Sequence, residues 1–137
     1  MRIDLNADAG ESFGPYTLGD DPALMRSITS VNVAACFHAG DPGVLRRTIQ
    51  LARDNQVAVG AHPSFPDRQG FGRREMQMTA SDVEDLVLYQ IAAVAGVARA
   101  EGVTLAHVKP HGALYNMAAR DRELAEALAR ATFAFDP

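Results

Sequence analysis

Asp8, His62, Lys109 and His111 are the side chains of this 137-residue sequence best suited to acid–base chemistry and to holding negative charge. Carboxylates and imidazoles move protons. Lysine ammonium groups stabilise charge that develops in a reaction. Each of the four falls at the end of a short apolar run. Further polar side chains keep the same company: Asn6 and Glu11 around the first run, Asn32 and His38 in and after the second, Tyr115 and Asn116 after the fourth. These types suit the orientation of a small polar substrate. Arg73, in Gly70-Phe71-Gly72-Arg73-Arg74, joins them from a long loop. Glycines there let the backbone bend close to a ligand, and a planar guanidinium suits a carboxylate or phosphate. Asp8, His38 and His62 together also resemble a set for a divalent metal, although they come from separate runs without a short ligand spacing. Cys36 reads as a small buried residue rather than a nucleophile.

The elements that must position these groups alternate in type. Ile3, Leu5 and Ala7 alternate with Asp4, Asn6 and Asp8, the pattern of a strand with one polar face. A helix is expected from Asp21, with Asp21 as N-cap and Pro22 at its first position. Ser30 to Ala35 reads as a second strand. Asp41-Pro42 repeats the helix-start pattern, and Leu45, Thr48, Ile49 and Ala52 share a helical face. Val57 to Ala61 is a third strand, followed by a loop from His62 to about Met78. Thr79 caps a helix that carries Val83, Val87, Ile91, Val94 and Ala98 on one stripe and stops at Gly102. Val103 to Lys109 is a fourth strand, with His107 and Lys109 on one face. His111, Tyr115 and Asn116 fall in a loop, and a last helix runs from about Asp121 to Phe133.

Strands joined by helices pair in parallel through right-handed crossovers. An open doubly wound sheet and a (β/α) barrel both satisfy that order. No Gly-rich phosphate fingerprint follows the first strand, which favours the barrel. Four βα units are about half of one, since such barrels usually take ~250 residues. The closing Asp136-Pro137 repeats the dipeptide that opens two earlier segments and reads as a boundary just before the next unit. The expectation is one α/β domain over residues 1–137, the N-terminal half of a parallel barrel. In such folds ligands bind outside the carboxyl ends of the strands. Burying polar groups without partners costs about 1–3 kcal/mol each, so stability alone gives no reason to collect these residues at one end.

Composition narrows the classes. With 47% hydrophobic and 22% charged residues and a formal net charge of −4, the chain is that of an ordinary globular protein. No basic patch invites nucleic acid. One cysteine excludes an internal disulfide and suits a reducing compartment. No apolar run approaches the ~20 residues of a membrane span. Cytoplasm is the expected location.

Four blocks carry a resemblance to a known family: Ile3-Asp4-Leu5-Asn6-Ala7-Asp8 with Gly10-Glu11; Phe37-His38-Ala39-Gly40-Asp41-Pro42; Gly60-Ala61-His62-Pro63-Ser64-Phe65-Pro66-Asp67 with Phe71-Gly72-Arg73-Arg74; and His107-Val108-Lys109-Pro110-His111-Gly112-Ala113-Leu114-Tyr115-Asn116. In order and through the whole chain they resemble the LamB/YcsF family. The resemblance implies the A component of an ATP-dependent 5-oxoprolinase, a hydrolase that opens the lactam of 5-oxo-L-proline to L-glutamate and works with subunits B and C. It implies a barrel of the glycoside hydrolase/deacetylase-like kind. It also brings ATP, which no motif of this chain announces. Where the family usually reads Ala-Cys-Gly, this chain has Ala34-Ala35-Cys36.

Opening a lactam needs an activated carbonyl, a nucleophilic water and a proton for the leaving nitrogen. ATP suggests phosphorylation of the carbonyl oxygen. Lys109 and Arg73 would then hold phosphate or developing charge. Asp8 would act as base toward water, and His62 or His111 would protonate nitrogen. A metal-dependent amidohydrolase or deacetylase without ATP is the alternative chemistry. A non-catalytic component that binds 5-oxoproline is the alternative class.

Overall fold

The computed structural model describes residues 3–136. Strand β1 (Asn6–Ala9) leads to helix α1 (Asp21–Met25), β2 (Ser30–Ala34), α2 (Pro42–Asp54), β3 (Ala58–His62), α3 (Ala80–Ala100), β4 (Leu105–Val108), α4 (Gly112–Ala118) and α5 (Arg122–Phe135). The four strands form one parallel sheet in the order β1-β2-β3-β4. A doubly wound sheet reverses direction at a switch point. Here every crossover adds the next strand on the same side, like successive staves of a (β/α) barrel. The expected fold class therefore holds. Pro137, on which the boundary reading rests, lies outside the described residues.

Register explains which residues face where. Asp8 pairs with Asn32, Asn32 with Gly60, and Gly60 with His107, so one rung of polar or side-chain-free residues crosses all four strands. The next rung is Ala9, Val33, Ala61 and Val108. Successive residues of a strand point to opposite faces. The apolar rungs face the helices, and the polar rungs line the concave side. A bulge at Val59/Gly60 resets the register so that His107, not Ala106, joins the polar rung.

The helices bury the stripes expected of them. Val83, Val87, Ile91, Val94 and Ala98 of α3 are fully buried, as are Ile49 and Ala52 of α2. Asp41 caps α2 by accepting from Val44 N, and Thr79 caps α3 by accepting from Asp82 N. Three expectations need correction. The cap of α1 is Asp20, whose carboxylate accepts from Ala23 N at 3.0 Å. Asp21 instead accepts from Gly10 N at 3.0 Å, a tertiary bond across the first βα turn. The first strand starts at Asn6, and Ile3 and Leu5 are 82% and 55% exposed, because β1 is an edge strand paired on one side. Residues 112–118, expected as loop, form α4.

Candidate active site

At the carboxyl end of the sheet the polar rung becomes a connected set of side chains. Asn32, fully buried at its centre, donates through Nδ2 to Asp8 Oδ1 at 2.8 Å. A carboxylate only accepts, so this bond fixes the amide's orientation. Asn32 Oδ1 then accepts from His107 Nε2 at 2.7 Å and from Asn6 Nδ2 at 3.2 Å. His107 reaches β2 from β4 by passing over Gly60; a Cβ on Gly60 would overlap its ring. His107 thus acts on the site through Asn32 and stands apart from the other three histidines.

Lys109 Nζ donates to the same Asp8 Oδ1 at 2.6 Å. Three strand spacings of ~4.8 Å would separate the ends of β1 and β4 by ~14 Å on a flat sheet. The ion pair therefore needs the sheet to curl. Burial works to raise the Asp8 pKa, and contacts with His62, Lys109 and Asn32 outweigh it, holding the carboxyl well below the usual carboxylate range. Lys109 and Asn32 donate in any protonation state. His62, 3.4 Å from Asp8 Oδ2 through Nε2, donates there only when doubly protonated.

His38, His62 and His111 pack together behind Asp8. His38 and His111 stack with ring centroids 3.8 Å apart, and His62 meets His111 edge-on at 89°. His62 Nδ1 donates to Lys109 O at 2.6 Å, His111 Nε2 donates to Phe71 O at 2.8 Å, and His62 Nε2 lies 2.9 Å from His111 Nδ1. Glu11 reaches His38 Nε2 at 3.3 Å. The ligand atoms of Glu11, His38, His62 and His111 all lie within 4.8 Å of one another, a group that could hold a metal ion. Two residues of the metal set expected from sequence, His38 and His62, belong to it; Asp8 adjoins it through His62.

The loop after β3 supplies the lid of this cluster. Asp67 accepts from Gly70 N at 2.9 Å and from the Arg74 guanidinium, whose hydrogen bond lowers its pKa to about 2. Arg68 donates to Gly40 O at 2.8 Å and to Cys36 O at 2.5 Å, tying this loop to the one after β2. Gln90 of α3 pairs with Ser64 N and Ser64 O, both at 2.9 Å, as a strand would. Phe71 and Gly72 have φ of 55° and 64°, which turns the Phe71 carbonyl toward His111. Arg68 and Gln90 escaped the sequence reading, and Phe71 and Ser64 entered it only as members of longer blocks. They act through backbone atoms or on backbone atoms, and residue type does not disclose that.

Asp8, His62, Lys109, His111, Arg73, Tyr115 and Asn116 border one cleft of about 420 Å³. Arg73 also stands 5.4 Å from the centre of the Phe71 ring. Asn32 lies deeper, where it positions Asp8, and Asn6, exposed at the start of β1, bonds Asn32 rather than bordering the cleft. A larger cavity of about 680 Å³, bordered by Tyr16, Leu18, Arg47 and Leu51, lies away from the strand ends, so volume alone does not mark the site.

Burial, with His38 stacked beside it, pushes the His111 ring down to about 4, and burial lowers His38 and His107 as well. The unfolded chain then binds more protons than the folded one between about 4 and the ordinary ~6.5 of histidine. Stability is complete above that window and falls as pH drops through it, by ~1.4 kcal/mol for each unit of displacement. The urea midpoint, measured with a chelator present so that only protons compete for the rings, should drop between pH 7 and pH 4.5. A flat or rising midpoint would contradict the burial of these rings.

A family model described as the LamB/YcsF family matches residues 3–137. Curated relatives, each named as the A subunit of 5-oxoprolinase, are similar along nearly the whole chain. That of Methylococcus capsulatus is 60% identical over 134 residues, covering 98% of this chain and 52% of the relative. That of Bacillus licheniformis is 56% identical over 136 residues, covering 99% and 54%. The crystal structure of a lactam utilization protein from Thermus thermophilus superposes with a TM-score of 0.98 at 53% identity, covering all of this chain and 56% of that one. The chain spans about half the length of the curated relatives it matches.

Proposed function

This chain belongs to the LamB/YcsF family, and from that premise we propose that it forms part of an enzyme that opens the lactam of 5-oxo-L-proline to L-glutamate, coupled to ATP hydrolysis. The names of its relatives supply the substrate and the membership of a multi-component enzyme. The observation that carries the reading is the meeting of Asp8, Lys109, His62 and His111 on one cleft at the strand ends. Partner subunits, B and C, complete the assembly, and ATP is the second substrate. Among the described residues no helix is long and apolar enough to cross a membrane; with the acidic charge and the single cysteine, this supports a place in the cytoplasm.

Asp8 takes a proton from the water that attacks the phosphorylated carbonyl and returns it to the ring nitrogen as the carbon–nitrogen bond breaks, and a second water splits the acyl phosphate so formed into L-glutamate and inorganic phosphate. Paired with Lys109, Asp8 is a weak base. When an anionic group on the activated carbonyl draws Lys109 away, Asp8 regains basicity at the moment water must be deprotonated. Arg73 helps to hold that group at the mouth of the cleft, with Tyr115 and Asn116 orienting the ring. His111 stays neutral near pH 7 because its pKa is about 4, so it is a poor proton donor there. Its neutral ring, with His62 and His38, shapes the floor, and Glu11 orients His38. A divalent metal, if used, belongs with that floor.

The test is an assay of glutamate release by the intact protein combined with its partner subunits. Turnover is expected only with 5-oxoproline, ATP and the complete set of subunits. Equal turnover without ATP would overturn the ATP-coupled reading and favour a plain amidohydrolase. Binding of 5-oxoproline by the complete assembly with no turnover at all would favour a carrier role.

A further inference from the structure

The His62–His111 contact carries more than ring packing. A backbone carbonyl only accepts, so the hydrogen bonds to Lys109 O and Phe71 O place the ring hydrogens on His62 Nδ1 and His111 Nε2. In the neutral rings, His62 Nε2 and His111 Nδ1 then present lone pairs to one another at 2.9 Å. That contact is repulsive unless a positive species shares it. Histidines that bind metals almost always donate their other ring nitrogen to a carbonyl or carboxylate in this way. Two nitrogens at ~2.1 Å from one ion lie ~3.0 Å apart at a right angle and ~3.4 Å apart at the tetrahedral angle. The observed spacing of 2.9 Å fits the first of these.

A shared proton would also relieve the repulsion, but it would leave two other features unused. Glu11 brings a carboxylate, its side chain 16% exposed, to within 4.8 Å of both nitrogens. His38, fully buried, donates to that carboxylate through Nε2 and so holds it toward the two nitrogens. Its ring lies parallel to His111, so both cannot aim in-plane lone pairs at one point.

We propose that His62 Nε2, His111 Nδ1 and the Glu11 carboxylate bind one divalent transition-metal ion, with His38 positioning Glu11. Two imidazoles and one carboxylate are a ligand set used by zinc and by non-haem iron, and they leave coordination positions open toward the cleft. Such an ion supplies a Lewis acid beside the cleft in which Asp8 and Lys109 stand. The assignment rests on the proposed lactam site for its purpose, while its test needs no lactam.

The intact protein, stripped with a chelator, is titrated with Co²⁺ and followed by visible absorption, calorimetry and metal analysis. One Co²⁺ per chain is expected, with ligand-field bands and with perturbed ring resonances of His62 and His111. Glu11→Gln, which removes a direct ligand, should weaken binding by more than the ~10–100-fold typical of an outer-shell partner and, at the edge of the cluster, should keep the fold by thermal melting. Glu123→Gln, on the exposed side of α5, should bind as the parent does. The absence of stoichiometric Co²⁺, or parental affinity in Glu11→Gln, overturns the site in favour of a shared proton. Stoichiometric Co²⁺ without lactam turnover by the full assembly overturns the proposed reaction and leaves the metal site standing.

Discussion

Alanine in place of Asp8 is expected to lower 5-oxoproline opening by about 10²–10⁴-fold, the range that general acid–base groups contribute. Asp8 is the one carboxylate at which Asn32, Lys109 and His62 meet. The loss should fall on kcat, because the carboxylate works on the proton of water rather than on substrate affinity. The fold should survive. The side chains of the Asp8–Lys109 pair are 35% and 42% exposed, and partly exposed pairs add little stability. Asn32 loses one acceptor but keeps Asn6 Oδ1 at 2.5 Å. Glutamate release by the reconstituted assembly, with a thermal melt beside it, decides the matter. Parental turnover in a folded Asp8→Ala protein would remove Asp8 from the chemistry.

The second large effect is expected at Gly72, where alanine should cost about 2–4 kcal/mol and most of the activity. Gly72 has φ of 64°, a conformation that L side chains rarely adopt. A Cβ there would overlap Ser64 Oγ and stand 2.8 Å from both His111 Cδ2 and His38 Cβ. Those neighbours are buried and cannot step aside cheaply. Gly72 O also accepts from Ala113 N at 2.8 Å, so a shift would tilt the start of α4. Misplacement of reacting groups by ~1 Å can cost 10²-fold in rate. Gly96 provides the contrast. It lies in α3 with nothing within 4 Å of its would-be Cβ, and alanine there should stabilise the helix by up to ~1 kcal/mol. Denaturant midpoints and turnover for the two variants test both statements. A Gly72→Ala protein as stable and active as its parent would show that the loop is not pressed against the cluster.

Sequence periodicity disclosed α2, α3 and α5 because each has a stripe long enough to stand out and an Asp or Thr at its start. Helix α4 carries neither signal. It opens on Pro110-His111-Gly112, and His111, at the cap position, makes no capping bond because its side chain serves the histidine cluster. Asp21 misled for a related reason. Asp20 and Asp21 are equally good caps by type, and a bond to Gly10 across the turn decides between them. Cys36 has φ of 67°, the left-handed conformation that glycine favours. Within the site, strand-end position brings Asp8, His62, Lys109 and His111 together on one cleft. The place of His107 inside a strand set it apart from the other histidines, but its reach to Asn32 was illegible. It depends on a bulge at Val59/Gly60 and on an empty place above Gly60, and neither leaves a periodic trace.

The ion pair between Lys109 and Asp8 joins positions 101 apart in sequence. Loops of that length close late, after local helices and neighbouring strand pairs have formed. During synthesis Asp8 leaves the ribosome at ~5–20 residues per second, some seconds before its partner exists. Chemistry at this site is therefore a property only of chains whose four strands have all been laid down and curled, and partly made chains, whatever their helix content, lack its central contact.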